Sequence, residues 1–312
     1  MAAKSMNSGL AVGWRGRWLS LALACGALLA GSPGALADHD SRHVCGVKFN
    51  DKVVCWGQDD EGQATPPPAN FRSVSAGHAF ACGLRLNDKV KCWGDDGGGQ
   101  VSDAPAASFR SISAGGYHAC GVRRNDKIVC WGSDSSGVVS DTPTGANFRA
   151  VASGGNYWSC GIKFSDKVVC WGNDQYATVS DAPATNVRSL SPGTYHGCGV
   201  KRSDKVVCWG NDESYAHLSE VPTGANFRSA GGGYEHSCAL RLNGKVKCWG
   251  EDSYQQISDT PSATFRALNV GSAHNCGIKP NDRVLCWGSD DVGQVSDTPR
   301  GRFRQVDAAT YG

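Results

Sequence analysis

The chain has 312 residues, of which 19% are charged, with a formal net charge of +2 and 15 cysteines. So small a net charge gives no electrostatic footprint for nucleic acid. After the first forty or so residues no segment is apolar enough to cross a bilayer.

Residues 1–37 differ from the rest. Lys4, Arg15 and Arg17 precede an apolar run from Trp18 to about Gly31, and Ala35-Leu36-Ala37 fits a small-residue cleavage site. This pattern predicts a secretory signal peptide cleaved near Ala37 and a mature chain, residues 38–312, that is secreted, extracellular or periplasmic. The apolar run is short and flanked by glycine, which argues against a retained anchor. Ala22-Leu23-Ala24 is a poor lipobox for modification of Cys25. Loss of the three basic residues takes the formal charge from +2 to −1.

The remaining fourteen cysteines form seven pairs, each written Cys, nine residues, Cys-Trp-Gly: Cys45/Cys55, Cys82/Cys92, Cys120/Cys130, Cys160/Cys170, Cys198/Cys208, Cys238/Cys248 and Cys276/Cys286. The first member recurs every 37 to 40 residues, the mark of a repeat architecture with one supersecondary unit per repeat. An even count in an exported chain reads as a disulfide framework. Zinc fails on spacing, because C-x9-C is not a knuckle and no second ligand pair lies nearby.

Within one repeat, Phe71–Ala76 alternates as strand a and Gly77–Ala79 is a turn. Phe80–Leu86 is strand b, Asn87-Asp88 a tight turn, and Lys89–Trp93 strand c. A Gly-rich loop follows, then a short strand d over Gln100–Ser102, and Pro105 begins the link. The b–c turn is Asn-Asp or Ser-Asp in six repeats and Asn243-Gly244 in the sixth; these residues tolerate positive φ. A turn centred there sets the two cysteines opposite each other, within bridging range. The Trp after each second Cys points to the opposite face, so each sheet is covered on both sides. The reading is an all-β, seven-bladed β-propeller of four-stranded blades. Phe303–Ala308 is an extra strand a after the last repeat, and the first repeat lacks one. The C-terminal strand is expected to complete blade 1 and close the ring.

The Cys-Trp-Gly strand, the Gly-x-x-His turn and the Trp-Gly-x-Asp-x-x-Gly-Gln loop resemble regulator-of-chromosome-condensation repeats. Short blades and the Val-x-x-x-Pro link look more like the secreted β-lactamase inhibitory protein II branch. The paired cysteines are similar to the extracellular repeats of plant crinkly-type receptor kinases. The resemblance covers residues 43–312 and implies a fold more than a function, since such propellers serve as exchange factors, inhibitors and receptor domains.

Antiparallel meanders put the a–b turns and c–d loops on one face and the b–c hairpins on the other. Two residues before each first Cys stand His43, Phe80, His118, Trp158, His196, His236 and His274. The histidines are expected to be structural, bonding to backbone. Asp59, Asp96, Asp134, Asp174, Asp212, Asp252 and Asp290 are expected to cap their own loops, since one carboxylate per blade is too few for calcium. The Arg after each strand-a Phe is expected to pair with the acid of the Ser-Asp-x-Pro stretch. Against this regular background Tyr157, Trp158, Tyr176, Tyr195, Tyr215, Tyr234, Glu235 and Tyr254 mark an asymmetric aromatic patch with an acidic fringe in blades 4 to 6. No nucleophile with a base stands out, so no catalysis, metal or cofactor is expected. The expectation is a monomeric, non-catalytic module for a protein with a basic patch. A glycan-binding propeller and a structural envelope protein are the alternatives.

Overall fold

The computed structural model describes residues 42–155, 157–210 and 218–309. The predicted leader, residues 1–37, with Cys25, and Tyr215 lie outside the described residues.

The described chain is all-β apart from a single 3-10 turn, Leu218–Glu220. Its strands form seven three-stranded antiparallel sheets. Blade 1 holds β1 (His43–Lys48) and β2 (Val53–Gly57); blade 2 holds β3 (Phe71–Ala76), β4 (Phe80–Arg85) and β5 (Val90–Gly94). Blade 3 holds β6 (Phe109–Ala114), β7 (His118–Arg123) and β8 (Ile128–Gly132); blade 4 holds β9 (Phe148–Ser153), β10 (Trp158–Lys163) and β11 (Val168–Gly172). Blade 5 holds β12 (Val187–Pro192), β13 (His196–Lys201) and β14 (Val206–Gly210); blade 6 holds β15 (Phe227–Gly232), β16 (His236–Arg241) and β17 (Val246–Gly250). Blade 7 holds β18 (Ala267–Val270), β19 (His274–Ile278) and β20 (Val284–Gly288). The last strand, β21 (Phe303–Ala308), pairs with β1 of blade 1, from Val44 opposite Ala308 to Lys48 opposite Phe303.

The b–c hairpins follow the predicted chemistry. The turn aspartates Asp51, Asp88, Asp126, Asp166, Asp204 and Asp282 have φ between 60° and 67°, and Gly244 has φ 81°. This left-handed conformation is what brings the strands back in register. All seven expected bridges are present: Cys45–Cys55, Cys82–Cys92, Cys120–Cys130, Cys160–Cys170, Cys198–Cys208, Cys238–Cys248 and Cys276–Cys286. Each joins directly opposed residues of strands b and c, with Cα–Cα distances of 4.0–4.1 Å. The strand-b member is fully buried in every blade, because strand b is the central strand of its sheet. On strand c, the outer strand, Cys55, Cys170 and Cys208 are half-buried, while Cys92, Cys130, Cys248 and Cys286 are buried. A loop this short limits the chain-entropy contribution of each bridge to about 3 kcal/mol or less.

Sheets of three strands cannot bury their own faces, and the core is divided accordingly. Among the described residues there are seven small cores, each between consecutive blades. The cystine face of one blade packs on the Trp face of the next. Cys45 and Cys55 meet Phe71 and Trp93, Cys82 and Cys92 meet Phe109 and Trp131, and Cys120 and Cys130 meet Phe148 and Trp171. Cys160 and Cys170 meet Trp209, Cys198 and Cys208 meet Phe227 and Trp249, and Cys238 and Cys248 meet Phe265 and Trp287. The last core joins Cys276 and Cys286 of blade 7 to Val44 and Trp56 of blade 1. The indoles also reach back across these interfaces. Trp93 Nε1 donates to the Gln63 carbonyl at 3.0 Å, and Trp56 Nε1 to that of Gln294 at 3.0 Å. Gly83 is required inside strand b because the Phe71 ring lies where its Cβ would be.

Two expectations are corrected. The predicted strand d is a turn, so the described sheets have three strands, not four. The Asp96 carboxylate accepts from the N–H groups of Val101 and Ser102 at 2.8 and 2.9 Å, so these donors are taken by the loop and do not join a ladder. The strand-a arginines pair with the b–c turn aspartates and not with the link acids: Arg72 with Asp88 at 3.0 Å, Arg266 with Asp282 at 3.0 Å. Several also donate to a strand-a carbonyl of the next blade, as Arg72 does to Phe109 at 2.7 Å. The turn lies beside the start of its own blade's strand a, where Phe71 stands opposite Arg85, and its Asp88 carbonyl accepts from the Phe109 N–H of the next blade at 2.9 Å, a bond the other blades repeat.

Strand β21 packs between blades 7 and 2 as well as pairing with β1: the Asn269 side chain bonds Asp307, and Gln305 bonds the Val74 backbone. Deletion of residues 303–312 is therefore expected to abolish cooperative melting and yield aggregates, read by circular dichroism and size-exclusion chromatography. A monomeric product with an unchanged melting point would contradict this role for the strand.

Candidate functional site

The a–b turns and c–d loops share one face because each loop is tied to the turn of its own blade. The N–H groups of Asp95, Ser133, Asn173 and Glu251 donate to the carbonyls of Ala79, Tyr117, Tyr157 and Glu235, each at 2.9 Å. On this face Tyr176, Tyr195 and Tyr234 form a contiguous ladder, with ring centroids 4.5 and 5.0 Å apart and the hydroxyls of Tyr195 and Tyr234 hydrogen-bonded at 3.1 Å. Tyr157 belongs to a second group: it stacks on Tyr117 at 5.5 Å, and Tyr117 contacts His78 at 5.0 Å. Tyr117 and His78 occupy the same variable turn positions in blades 3 and 2, outside the patch predicted for blades 4 to 6. Tyr254 is 40% exposed and borders a pocket of 160 Å³ with Tyr234, Glu235, Glu251 and Ser253. The Arg42 guanidinium lies 5.5 Å from the Tyr254 ring centroid.

Trp158 is corrected from contact residue to core residue. It is fully buried among Cys160 and Trp209, and its indole donates to the Thr194 carbonyl of blade 5 at 3.1 Å. It occupies the place that a buried histidine holds in most blades. His118, His196 and His236 each bond the next blade through a side chain, to Ser159, Ser237 and Asn275 at 2.8, 2.7 and 3.0 Å. The expected backbone partner is thus replaced by the residue following the next blade's histidine position. In blade 5 that residue is Gly197, where a Cβ would lie 2.5 Å from Trp209 and 2.9 Å from Trp158. The large side chain at 158 and the missing one at 197 are two halves of one packing solution. The blade 4 turn carries one extra residue, and Tyr157 within it has φ 54°, a left-handed conformation unusual for an aromatic residue.

The loop aspartates cap their own backbone, except that Asp212 lies outside the described residues. Asp134, Asp174, Asp252 and Asp290 each accept from the N–H groups five and six residues on, at 2.7–3.0 Å. Among the described residues no group of three metal-ligating side chains gathers at one point.

The strand-a residues line an axial cavity of 320 Å³. Here the repeat symmetry is broken by two polar residues that the sequence reading passed over, Gln305 and Asp307. The signal was present: Ser75 and Ser113 hold the place that Asp307 takes in the last strand. Each of these side chains accepts from the next blade's backbone. Asn269 takes the Ala308 N–H at 2.7 Å, Asp307 that of Ala76 at 2.9 Å, Ser75 that of Ala114 at 2.9 Å, and Ser113 that of Ser153 at 3.0 Å. The series stops where both groups are lacking, since Ala152 offers no side-chain oxygen and Pro192 no N–H. Burial pushes the Asp307 carboxyl up to about 6, against the lowering effect of its donors Ala76, Ser75 and Asn269.

The packing of Trp158 is expected to be coupled to Gly197. Trp158→His should cost about 2–4 kcal/mol through the cavity it leaves, and Gly197→Ser about 1–3 kcal/mol through overpacking. The double variant can form the His–Ser bond of the other blades and should recover about 2 kcal/mol of the sum, measured by denaturant melts in a double-mutant cycle. Strict additivity would show that the two sites are independent.

Burial lowers the ring pKa of His43 and His274 to about 3 and that of His118 and His236 to about 4. The unfolded chain, with histidines near 6.5, takes up protons over this window that the native state refuses. Stability therefore falls as pH drops from about 6.5 to 4, by up to about 1.4 kcal/mol per pH unit for each group. Asp307 acts in the opposite sense between about 6 and 3.8, because the native carboxyl protonates first. Four groups against one leave a net loss, so the melting temperature is expected to fall from pH 7 to pH 5. His118→Gln should flatten that slope; an unchanged slope would mean that His118 titrates normally.

The comparisons with known proteins agree with this geometry. The regulator of chromosome condensation (RCC1) repeat matches residues 71–100, 109–138, 227–256 and 265–294. No curated protein sequence matches the chain. Among solved structures, the ectodomain of the receptor kinase CR4 from the moss Physcomitrella patens aligns with a TM-score of 0.68 and 27% identity, covering 80% of this chain and 71% of that one. The CRINKLY WD40 ectodomain of the Arabidopsis thaliana receptor kinase ACR4 aligns with 0.65 and 24%, covering 78% and 92%. Yeast RCC1 (Prp20), in its complex with Kap60, aligns with 0.66 and 13%, covering 84% and 82%. The last two likenesses are of fold alone. Among the described residues no helix is long and apolar enough to cross a membrane. The chain carries RCC1 repeats in four places and resembles RCC1-type propellers in fold, with one cystine in each of its seven sheets.

Proposed function

We propose that the protein is a secreted, non-catalytic recognition or inhibitor module, a monomeric ring closed by its C-terminal strand, that binds a protein partner through the a–b/c–d face of blades 4 to 6. The observation that carries this reading is the Tyr176–Tyr195–Tyr234 ladder running into the pocket between Tyr234, Tyr254, Glu235 and Glu251. Rigid aromatic side chains held against one another lose little entropy on binding, which is why such residues dominate interface hot spots. A pocket lined by Glu235, Glu251, Tyr234 and Tyr254 favours a partner that presents Lys or Arg, by charge and by cation–π contact. Seven disulfides suit an oxidising compartment. The similar receptor-kinase structures are ectodomains, and yeast RCC1 was solved bound to another protein, uses that favour protein recognition by such a ring. The buried histidines and loop aspartates are committed to the fold, which supports a role without catalysis. A glycan reading calls for equivalent pockets in successive blades, whereas the Tyr ladder and the acidic pocket are confined to one arc.

Selection of a displayed random-peptide library on the folded domain is expected to enrich sequences bearing Lys or Arg. Tyr195→Ala, Tyr254→Ala and Glu235→Gln should each weaken the selected ligands by about tenfold, with the melting temperature nearly unchanged. Ligands that ignore these substitutions but are lost on changing the Asn-Asp-Lys hairpins would place recognition on the other side of the ring.

A further inference from the structure

The near-zero net charge conceals a strong segregation of charge. In every blade a Lys or Arg stands at the end of strand b or just after it, and four residues on another Lys or Arg leads into strand c, from Lys48 and Lys52 in blade 1 to Lys279 and Arg283 in blade 7. The second of each pair is exposed in all seven blades. Arg124, Arg202 and Arg302 add exposed cations to the same rim. The turn aspartates, present in six blades, pair with the strand-a arginines and in three places with these rim arginines, so the cations of the rim outnumber its carboxylates. Most other acidic residues stand in the c–d loops and in the links that follow them.

The same hairpin tips expose apolar side chains. The residue after strand b is Phe49 in blade 1, Leu86 in blade 2, Phe164 in blade 4 and Leu242 in blade 6, with exposures of 55, 54, 54 and 45%. These are four of the six large exposed hydrophobics among the described residues. The tips are held in place. Arg124 of blade 3 pairs with Asp88 of blade 2, and Arg202 of blade 5 with Asp166 of blade 4. The guanidinium groups of Arg302 and Arg110 lie 5.3 and 5.5 Å from the ring centroids of Phe49 and Phe164.

We infer that the hairpin face is a docking surface for an anionic lipid bilayer. A rim of flexible cations attracts a plane of phosphate headgroups, and four apolar tips on that rim enter the boundary between headgroups and acyl chains. A soluble polyanion would account for the cations but gives no reason for Phe49, Leu86, Phe164 and Leu242. The inference does not rest on the partner proposed for the opposite face, which would remain open to solution in the docked state.

The test is co-sedimentation of the disulfide-bonded protein with vesicles of phosphatidylcholine alone and of phosphatidylcholine with phosphatidylglycerol, at low and high salt. Binding is expected to be at least about tenfold tighter to the anionic vesicles and to weaken strongly as salt rises. Phe49→Ser with Phe164→Ser should lower it at least about fivefold, and so should Lys127→Glu with Lys167→Glu. All four changes are at exposed tips, and an unchanged melting curve confirms the fold. Equal affinity for both kinds of vesicle, or none for either, overturns the inference. Retention of dextran sulfate or DNA without vesicle binding, or full binding by the double Phe variant, assigns the rim to a soluble polyanion and overturns it too.

Discussion

The structure depends on the contact between the cystine face of one blade and the indole face of the next. In strand c these two residues are neighbours, so the alternation of a β-strand sends them to opposite sides. Each sheet thereby presents a disulfide to one neighbour and a Trp to the other, and neither face is left to water. In six blades the indole N–H then reaches the carbonyl of the preceding c–d loop, which fixes that loop as well as the interface. Since a blade of three short strands is not stable alone, the interface rather than the blade is the unit of stability. It is made seven times, the last time between the two ends of the propeller.

Repetition of that contact leaves the loop residues free to vary, and the departures from the repeat are informative. Some are structural exchanges between neighbours, such as Trp158 with Gly197, or Ala152 with Pro192. In both cases a change in one blade is answered in the next. Others are shared among neighbouring loops: Tyr176, Tyr195 and Tyr234 of blades 4 to 6 pack on one another, and Tyr234 lines a pocket with Glu235 and Glu251. That asymmetry is the basis of the recognition proposed for this face.

The two faces differ in kind. One carries the irregular aromatic and acidic loops; the other carries the same basic hairpin in every blade. A charge sum over the chain averages them to almost nothing, and so does not reveal the run of cations along the hairpins. The regularity of the hairpins, which made them look featureless in sequence, is what makes them a continuous rim.

Much of the fold was legible in the sequence because its determinants are local. The nine-residue spacing, the Asn-Asp turn and the Cys-Trp alternation each act within one hairpin, so pairs such as Cys55 with Cys45 or Cys248 with Cys238 needed no knowledge of the neighbouring blade. The C-terminal Phe303–Ala308 copies strand a closely enough to be assigned to blade 1. What only the tertiary structure decided are the contacts between blades. Trp158 looked like an exposed anchor because its burial depends on Gly197, far along the chain in the next blade. The expected strand d failed because Asp96 takes the N–H groups that a ladder would need. The strand-a arginines found the turn aspartates because the chain folds those turns against the start of strand a. Asp307 and Gln305 gained meaning only when the inner strands were brought around one axis. For Trp158, Asp307 and Gln305 the partner lies in the neighbouring blade, and a repeat read by itself does not show which neighbour it will meet.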